Sequence, residues 1–253
     1  MRKTIELLGK PGCGKSTLVN CCTPNPNYII QRSDLKLSNQ ERKIVKWLFL
    51  NTKSPFKNQL LHNYFNDYPE ANELFVRKFV EMHYKLKRGD DRLALLDEGL
   101  INRITGIPFD IEIKVNDVFK KLIDEVSKME SLVFDCQCPI DTALERLRSR
   151  KRIGDDRIGR YYDENDEVVK NKLRVKQHNI DTALSFYKGT VVTLDMTQPV
   201  STNIKIVRDT IRDFLYRHRL IRKRMEVNVE YSYEINELFQ LDEELEPMEP
   251  MIN

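Results

Sequence analysis

Near the start of the chain, Gly9, Gly14, Lys15 and Ser16 fill the fixed positions of the spacing G-x-x-x-x-G-K-[ST], within Gly9-Lys10-Pro11-Gly12-Cys13-Gly14-Lys15-Ser16-Thr17. Residues of these types at this spacing hold phosphate. Glycines let successive backbone N–H groups turn into one concavity, and the helix that follows aims its positive end there. Lys15 would neutralise charge on the β- and γ-phosphates, and the Ser16 hydroxyl would sit on Mg²⁺. An ordinary glycine turn is the alternative. The apolar run Ile5 to Leu8 before the loop and the helix-compatible stretch from Ser16 argue against it. The expected ligands are ATP and Mg²⁺, contacted by Gly9, Pro11, Gly12, Cys13, Gly14, Lys15, Ser16 and Thr17.

Three further groups could take part in phosphate chemistry. Leu93-Ala94-Leu95-Leu96 is an apolar run that ends in Asp97-Glu98. A carboxylate there could hold the Mg²⁺ shell opposite Ser16, the role assigned to Asp97. Glu98 could accept a proton from a hydroxyl nucleophile or position an attacking group. Arg103, five residues on, could reach an acceptor or a transferring phosphate, and Arg32 is a second candidate for an acceptor's anion. Arginine suits both places because its planar fork meets phosphate oxygens two at a time. The third group is Arg146-Leu147-Arg148-Ser149-Arg150-Lys151-Arg152, followed by Asp155-Asp156-Arg157 and Arg160. Arg146 and Arg150 share a helix face and repel unless an anion lies between them. Arginines on a mobile flap would stabilise charge on a moving phosphoryl group and exclude water. A solvated basic helix end is the plainer reading of that segment alone.

The elements that must carry these residues alternate. Residues 4–8, 28–30, 93–96, 131–135 and 191–195 read as strands. Helices are expected at 15–22, 115–128, 140–151, 166–186 and 201–219, with about three amphipathic helices between Leu37 and Lys87. Ser38 with Glu41 forms a capping box that starts the first of the three. Strands alternating with helices predict an α/β fold: a P-loop three-layer sandwich of about five parallel strands with helices on both faces. Ligands of such sheets gather at the carboxyl ends of the strands. Gly9, Arg32, Asp97, Cys136 and Asp195 all fall at or just past expected strand ends.

The chain has 253 residues, 32% of them charged, a formal net charge of +3 and five cysteines. It is long enough for one sizeable core. Cys21-Cys22 and Cys136/Cys138 lack metal-ligand spacing, and His62, His83, His178 and His218 show none either. Reduced cysteines, no apolar run long enough to span a bilayer and a first strand beginning at residue 4 point to a cytoplasmic protein. Every charged residue from Glu226 to Asn253 is acidic, so the rest of the chain is strongly basic. That balance suits a site for several phosphates, and no aromatic-rich basic motif speaks for nucleic acid. The expected organisation is a kinase-like domain over 1–224, with a helical acceptor side at 37–90 and an Arg-rich lid at 146–165, followed by an acidic extension at 225–253. Within that extension, Met225 to Ile235 alternates like a strand that could join the sheet edge or pair with a second copy to give a homodimer.

From Ser131 to Leu215 the chain resembles the nucleoside monophosphate kinases, thymidylate kinase above all. The resemblance rests on Leu132-Val133-Phe134-Asp135, on Asp141 through Arg150 with its R-x3-R spacing, and on Asp156-Arg157. Lys172-Leu173-Arg174-Val175 and Val191-Val192-Thr193-Leu194-Asp195 continue it. It implies Mg-ATP-dependent phosphorylation under a mobile lid, with Arg146 and Arg150 as lid-side phosphate ligands and Arg157 as the lid arginine. Two places depart from that family. It carries Asp-Arg-Tyr where this chain has Asp97-Glu98-Gly99, and Ile-Glu where this chain has Ile158-Gly159. The acceptor is therefore left as a nucleotide, a nucleoside or a sugar-like alcohol. The competing class is a P-loop hydrolase acting as a switch or regulatory ATPase. A guanine-specific switch is weakened because Asn171-Lys172-Leu173-Arg174 lacks the aspartate of a base reader. A cassette ATPase is weakened because Leu37-Ser38-Asn39-Gln40-Glu41-Arg42 lacks the glycines of that family's signature.

Overall fold

The computed structural model describes residues 3–22, 29–52, 62–64, 67–68, 73–88, 92–108, 110–152 and 165–223. Five strands form one parallel sheet: β1 (Thr4–Leu8), β2 (Ile29–Gln31), β3 (Leu93–Leu96), β4 (Glu130–Gln137) and β5 (Thr190–Asp195), in the order β2-β3-β1-β4-β5. The central strand β1 pairs Ile5 with Leu95 on one side and with Leu132 on the other. Its five residues are all buried, as a parallel strand covered on both faces requires.

Around the sheet run α1 (Lys15–Cys21), α2 (Asn39–Thr52), α3 (Glu73–Lys87), α4 (Leu100–Ile104), α5 (Asp117–Met129), α6 (Ile140–Arg152), α7 (Asp166–Phe186) and α8 (Val200–Lys223). Strand alternation divides the core in two. Leu8, Ala94, Leu96 and Val133 face a layer made by α3, α4, α5 and the second half of α7. Ile5, Leu7, Leu95, Leu132 and Phe134 face α1, α6, the first half of α7 and α8. Helix α5 shows why these segments are helical. Phe119, Leu122, Ile123 and Val126 are buried at three- and four-residue spacing, and Asn116 Oδ1 caps the start by accepting the Phe119 N–H at 2.9 Å. The Ser38–Glu41 box forms as expected, with Ser38 N–H donating to Glu41 Oε2 at 2.7 Å and Glu41 N–H to Ser38 Oγ at 3.3 Å.

Element bounds differ from the sequence reading mainly at the edges. Strand β2 runs one residue later, to Gln31, and β4 runs through Cys136 to Gln137. Cys136 is thus inside a strand and fully buried. Backbone pairing with β5 extends β4, a long-range contact that local pattern does not report. Of the expected helices over 37–87, α2 and α3 are present and residues 62–64 are helical. Residues 153–164 of the expected lid at 146–165, with Arg157 and Arg160, and residues 224–253, with the expected strand of the extension, lie outside the described residues.

Candidate active site

The loop after β1 turns between Gly9 and Lys15 with positive φ at Gly12 (82°) and Gly14 (105°), a conformation that only glycine adopts without strain. At Gly12 a side chain would also run into the backbone carbonyl of Ala143 on α6. The loop therefore needs glycine for close approach as well as for turning. Lys15 Nζ folds over it, donating to the carbonyls of Gly9 at 2.6 Å and Lys10 at 3.0 Å. Burial works against its charge, but the neighbouring Cys13, Cys136 and Glu98 outweigh burial and raise its pKa above the ordinary lysine value. It is an ammonium at neutral pH.

Ser16 Oγ, at the first turn of α1, donates to Asp97 Oδ2 at 3.0 Å across 81 residues of chain. Two hard oxygen donors lie side by side here, one from the helix that follows β1 and one from the loop after β3. This donor set fits Mg²⁺, which takes one or two protein oxygens and completes its octahedron with water and phosphate. Among the described residues, no group of three or more His, Cys, Asp or Glu side chains is placed to hold a metal by itself.

Glu98 lies next to this pair and is held by two arginines. Arg103 Nη2 is 2.7 Å from Glu98 Oε2, and Arg32 Nη1 contacts the same oxygen while its Nε lies 3.4 Å from Asp97 Oδ1. Burial pushes the Glu98 carboxyl up. Arg103, Arg32, Lys15 and Lys78 outweigh that and hold its pKa below the ordinary glutamate value. Arg103 is buried, and its Nε has no hydrogen-bond partner among the described residues.

These groups open into a cleft of about 650 Å³. Ser16, Asp97, Glu98, Arg32, Arg103 and Arg150 line it, and α3 adds Lys78, Glu81, Met82 and Lys85. Glu81 and Lys85 pair at 2.6 Å. The structure thus brings Arg32, Asp97, Glu98, Arg103 and Arg150 together with the phosphate loop. Arg146 is placed differently. Its Nη1 donates to the Cys13 carbonyl at 3.1 Å and its Nη2 to the Met196 carbonyl at 3.0 Å, which ties the loop to the turn after β5. Asp195 organises that turn by accepting from Thr197 N–H and Oγ1, and lines a separate hollow of about 470 Å³ with Lys10, Gln137 and Asp181.

Two contributions went unread in the sequence. The α3 residues Lys78, Glu81 and Lys85 recur at three- and four-residue spacing, so their shared face was available as a pattern. Glu6 is the other. It is a fully buried acid on β1 whose carboxylate accepts the backbone N–H groups of Gly99 at 2.9 Å, Ile101 at 3.1 Å and Asn102 at 2.9 Å. Its signal was a lone charge inside an otherwise apolar strand.

No family model matches the chain, and no curated protein matches it in sequence. Among solved structures it is similar to a deoxyadenosine kinase from M. mycoides with bound dATP, at 15% identity and a TM-score of 0.47 over 83% of this chain and 99% of that one. It is also similar to the YorR protein of Bacillus subtilis, at 16% identity and a TM-score of 0.43 over 89% and 99%. A shikimate kinase from Acinetobacter baumannii with shikimate gives 13% identity and a TM-score of 0.42 over 84% and 95%. At these values the likeness assigns no activity to this chain.

Proposed function

We propose that the protein is an Mg-ATP-dependent phosphotransferase of the P-loop kinase type that passes the γ-phosphate of ATP to a small-molecule acceptor. The observation that carries this reading is the cleft. The phosphate loop and the Ser16–Asp97 pair open sideways into about 650 Å³ lined by a paired acid and arginines, more space than a hydrolytic water needs. Arg32, Lys78, Lys85, Arg103 and Arg150 outnumber Glu81, Asp97 and Glu98 along its walls. That balance favours an acceptor carrying its own negative charge, so a nucleotide is favoured over a nucleoside or a neutral sugar-like alcohol. The thymidylate kinase resemblance of residues 131–215 supports the same class, and Asp97-Glu98-Gly99 marks the departure from it.

In this reading Lys15 leaves the carbonyls of Gly9 and Lys10 and turns its ammonium to the β- and γ-phosphates. The N–H groups of Gly12 to Ser16 cradle the same oxygens. Ser16 and Asp97 would hold Mg²⁺, which when bound would neutralise the phosphate charge that develops as the γ-group leaves. Glu98 takes the proton of an attacking hydroxyl, or positions the oxygen of an acceptor phosphate that is already ionised, as the new O–P bond forms and the bond to ADP breaks. Arg103 and Arg150 face the charge spread over the moving phosphoryl group, and Arg157 would join them from the lid. Residues 1–224 would form this catalytic unit, with 225–253 as an appendage to it.

Phosphorus NMR of purified protein with Mg-ATP tests the proposal. The γ-phosphate is followed with water alone, then with pools of nucleoside monophosphates, nucleosides and sugars. A new diphosphate or phosphoester signal with one pool is expected. Free phosphate at one rate whatever is added would replace the kinase reading with the hydrolase one. Lys15→Ala should cut transfer on the order of 10²-fold or more, with an unchanged circular dichroism spectrum.

A further inference from the structure

The loop Asp97-Glu98 is two residues long and is gripped at both ends by one residue of the neighbouring strand. In the sheet, Glu6 pairs in register with Leu96, the last residue before the loop. Its side chain then reaches past the loop to accept the N–H of Gly99, the first residue after it, along with those of Ile101 and Asn102 at the start of α4. The carboxylate is fully buried, a placement that is costly unless its oxygens are bonded, and three N–H donors meet that requirement. The fit is tight, because a methyl group on Gly99 would lie 2.6 Å from Glu6 Cδ and Oε2.

Glu6 also belongs to the strand that leads directly into the phosphate loop. One residue is thus tied both to the strand that leads, through the glycine loop, to Ser16 on α1 and to the two-residue loop that carries Asp97. We propose that Glu6 is a positioning residue that sets Asp97 against Ser16, so that the pair is presented ready-made to the metal of Mg-ATP. The proposal rests on the reading of Ser16 and Asp97 as the metal-holding pair. It assigns Glu6 no contact with substrate.

Titration of the full chain with a fluorescent ribose-labelled ATP, once with Mg²⁺ and once with EDTA, tests it without requiring turnover. The wild type should bind more tightly with Mg²⁺, and that increment measures the Ser16–Asp97 pair. Glu6→Gln keeps the volume but presents an amide to the three donors. It should lower affinity about tenfold or more with Mg²⁺, the range seen when a group orienting a metal ligand is removed. Its affinity in EDTA, which reports the phosphate loop and Lys15, should stay within about twofold. Adding Asp97→Asn to Glu6→Gln should cost nothing more, since both act through one site.

Gly99→Ala is the second arm. The backbone at Gly99 is extended (φ −86°, ψ −152°) and accessible to alanine, so only the clash with the Glu6 carboxylate acts, and the same Mg²⁺-specific loss is expected. If Glu6→Gln does not fold, Gly99→Ala decides alone. An increment intact in the variants, or an equal loss in Mg²⁺ and EDTA, overturns the role of Glu6. A wild type without any Mg²⁺ increment overturns the metal reading itself, and Glu6 with it, and the wild-type curve alone distinguishes that case.

Discussion

In the proposed reaction, Glu98 is the residue on which the chemistry turns. Ionised and bridged by Arg103 and Arg32, it sits beside the pair that would hold the metal, where the acceptor's oxygen would approach. The two arginines that keep it charged also lower its basicity, so it works as a base only when an acceptor's oxygen is held at hydrogen-bond distance. Glu98→Gln keeps the shape and removes the proton acceptor. On a hydroxyl acceptor it should lower kcat on the order of 10²–10⁴-fold, with the dissociation constant for ATP within about twofold. Steady-state rates on the acceptor found by phosphorus NMR, alongside a nucleotide titration, check both halves.

Among the elements, α3 adds Lys78, Glu81, Met82 and Lys85 to the lining of the cleft, and it carries a half-buried histidine that should make stability depend on pH. His83 on this helix lies against Phe79, with ring centroids 6.1 Å apart. Burial, helped by Lys87, lowers its pKa to about 4. The unfolded chain binds that proton near pH 6.5, so His83 costs nothing above that value. Stability falls as pH drops through 6.5 towards 4, reaching a loss of about 2 kcal/mol at pH 5. The difference in unfolding free energy between pH 7 and pH 5, from urea titrations, should be smaller for His83→Gln than for the wild type by roughly that amount. A shared slope would mean that other groups carry the acid sensitivity. Helix α7 has a different task. Lys176 donates to Asn102 O at 3.1 Å and Thr105 Oγ1 at 2.7 Å, and the next residue, Gln177, accepts from Lys10 at 3.1 Å. Adjacent residues of one helix thus hold α4 and the phosphate loop to the same support.

Over the whole molecule, the sheet is the frame that sets every distance in the site. Phe134 on β4 is fully buried in the layer shared with α1, α6 and α8. Phe134→Ala should cost about 3–5 kcal/mol, read as a shift of the urea midpoint with little change in slope, and Mg-ATP at saturation should recover part of it. Among the described residues no helix is long and apolar enough to cross a membrane, and all five cysteines are free. Sequence alone determined what depends on neighbouring residues: the glycines that a left-handed loop needs, Lys15 and Ser16 at their spacing, the alternation of strands and helices, and the strand ends that carry Arg32, Asp97 and Glu98. Those are local constraints, written in spacing and periodicity. Tertiary structure alone decided which strand lies beside which, and with it the 3.0 Å contact of Ser16 with Asp97. It also turned Arg146 onto the Cys13 and Met196 carbonyls and brought α3 to the cleft. Glu6 shows the reason most plainly. An acid in an apolar strand is a puzzle in sequence, because the three N–H groups that satisfy it come from residues more than ninety positions away.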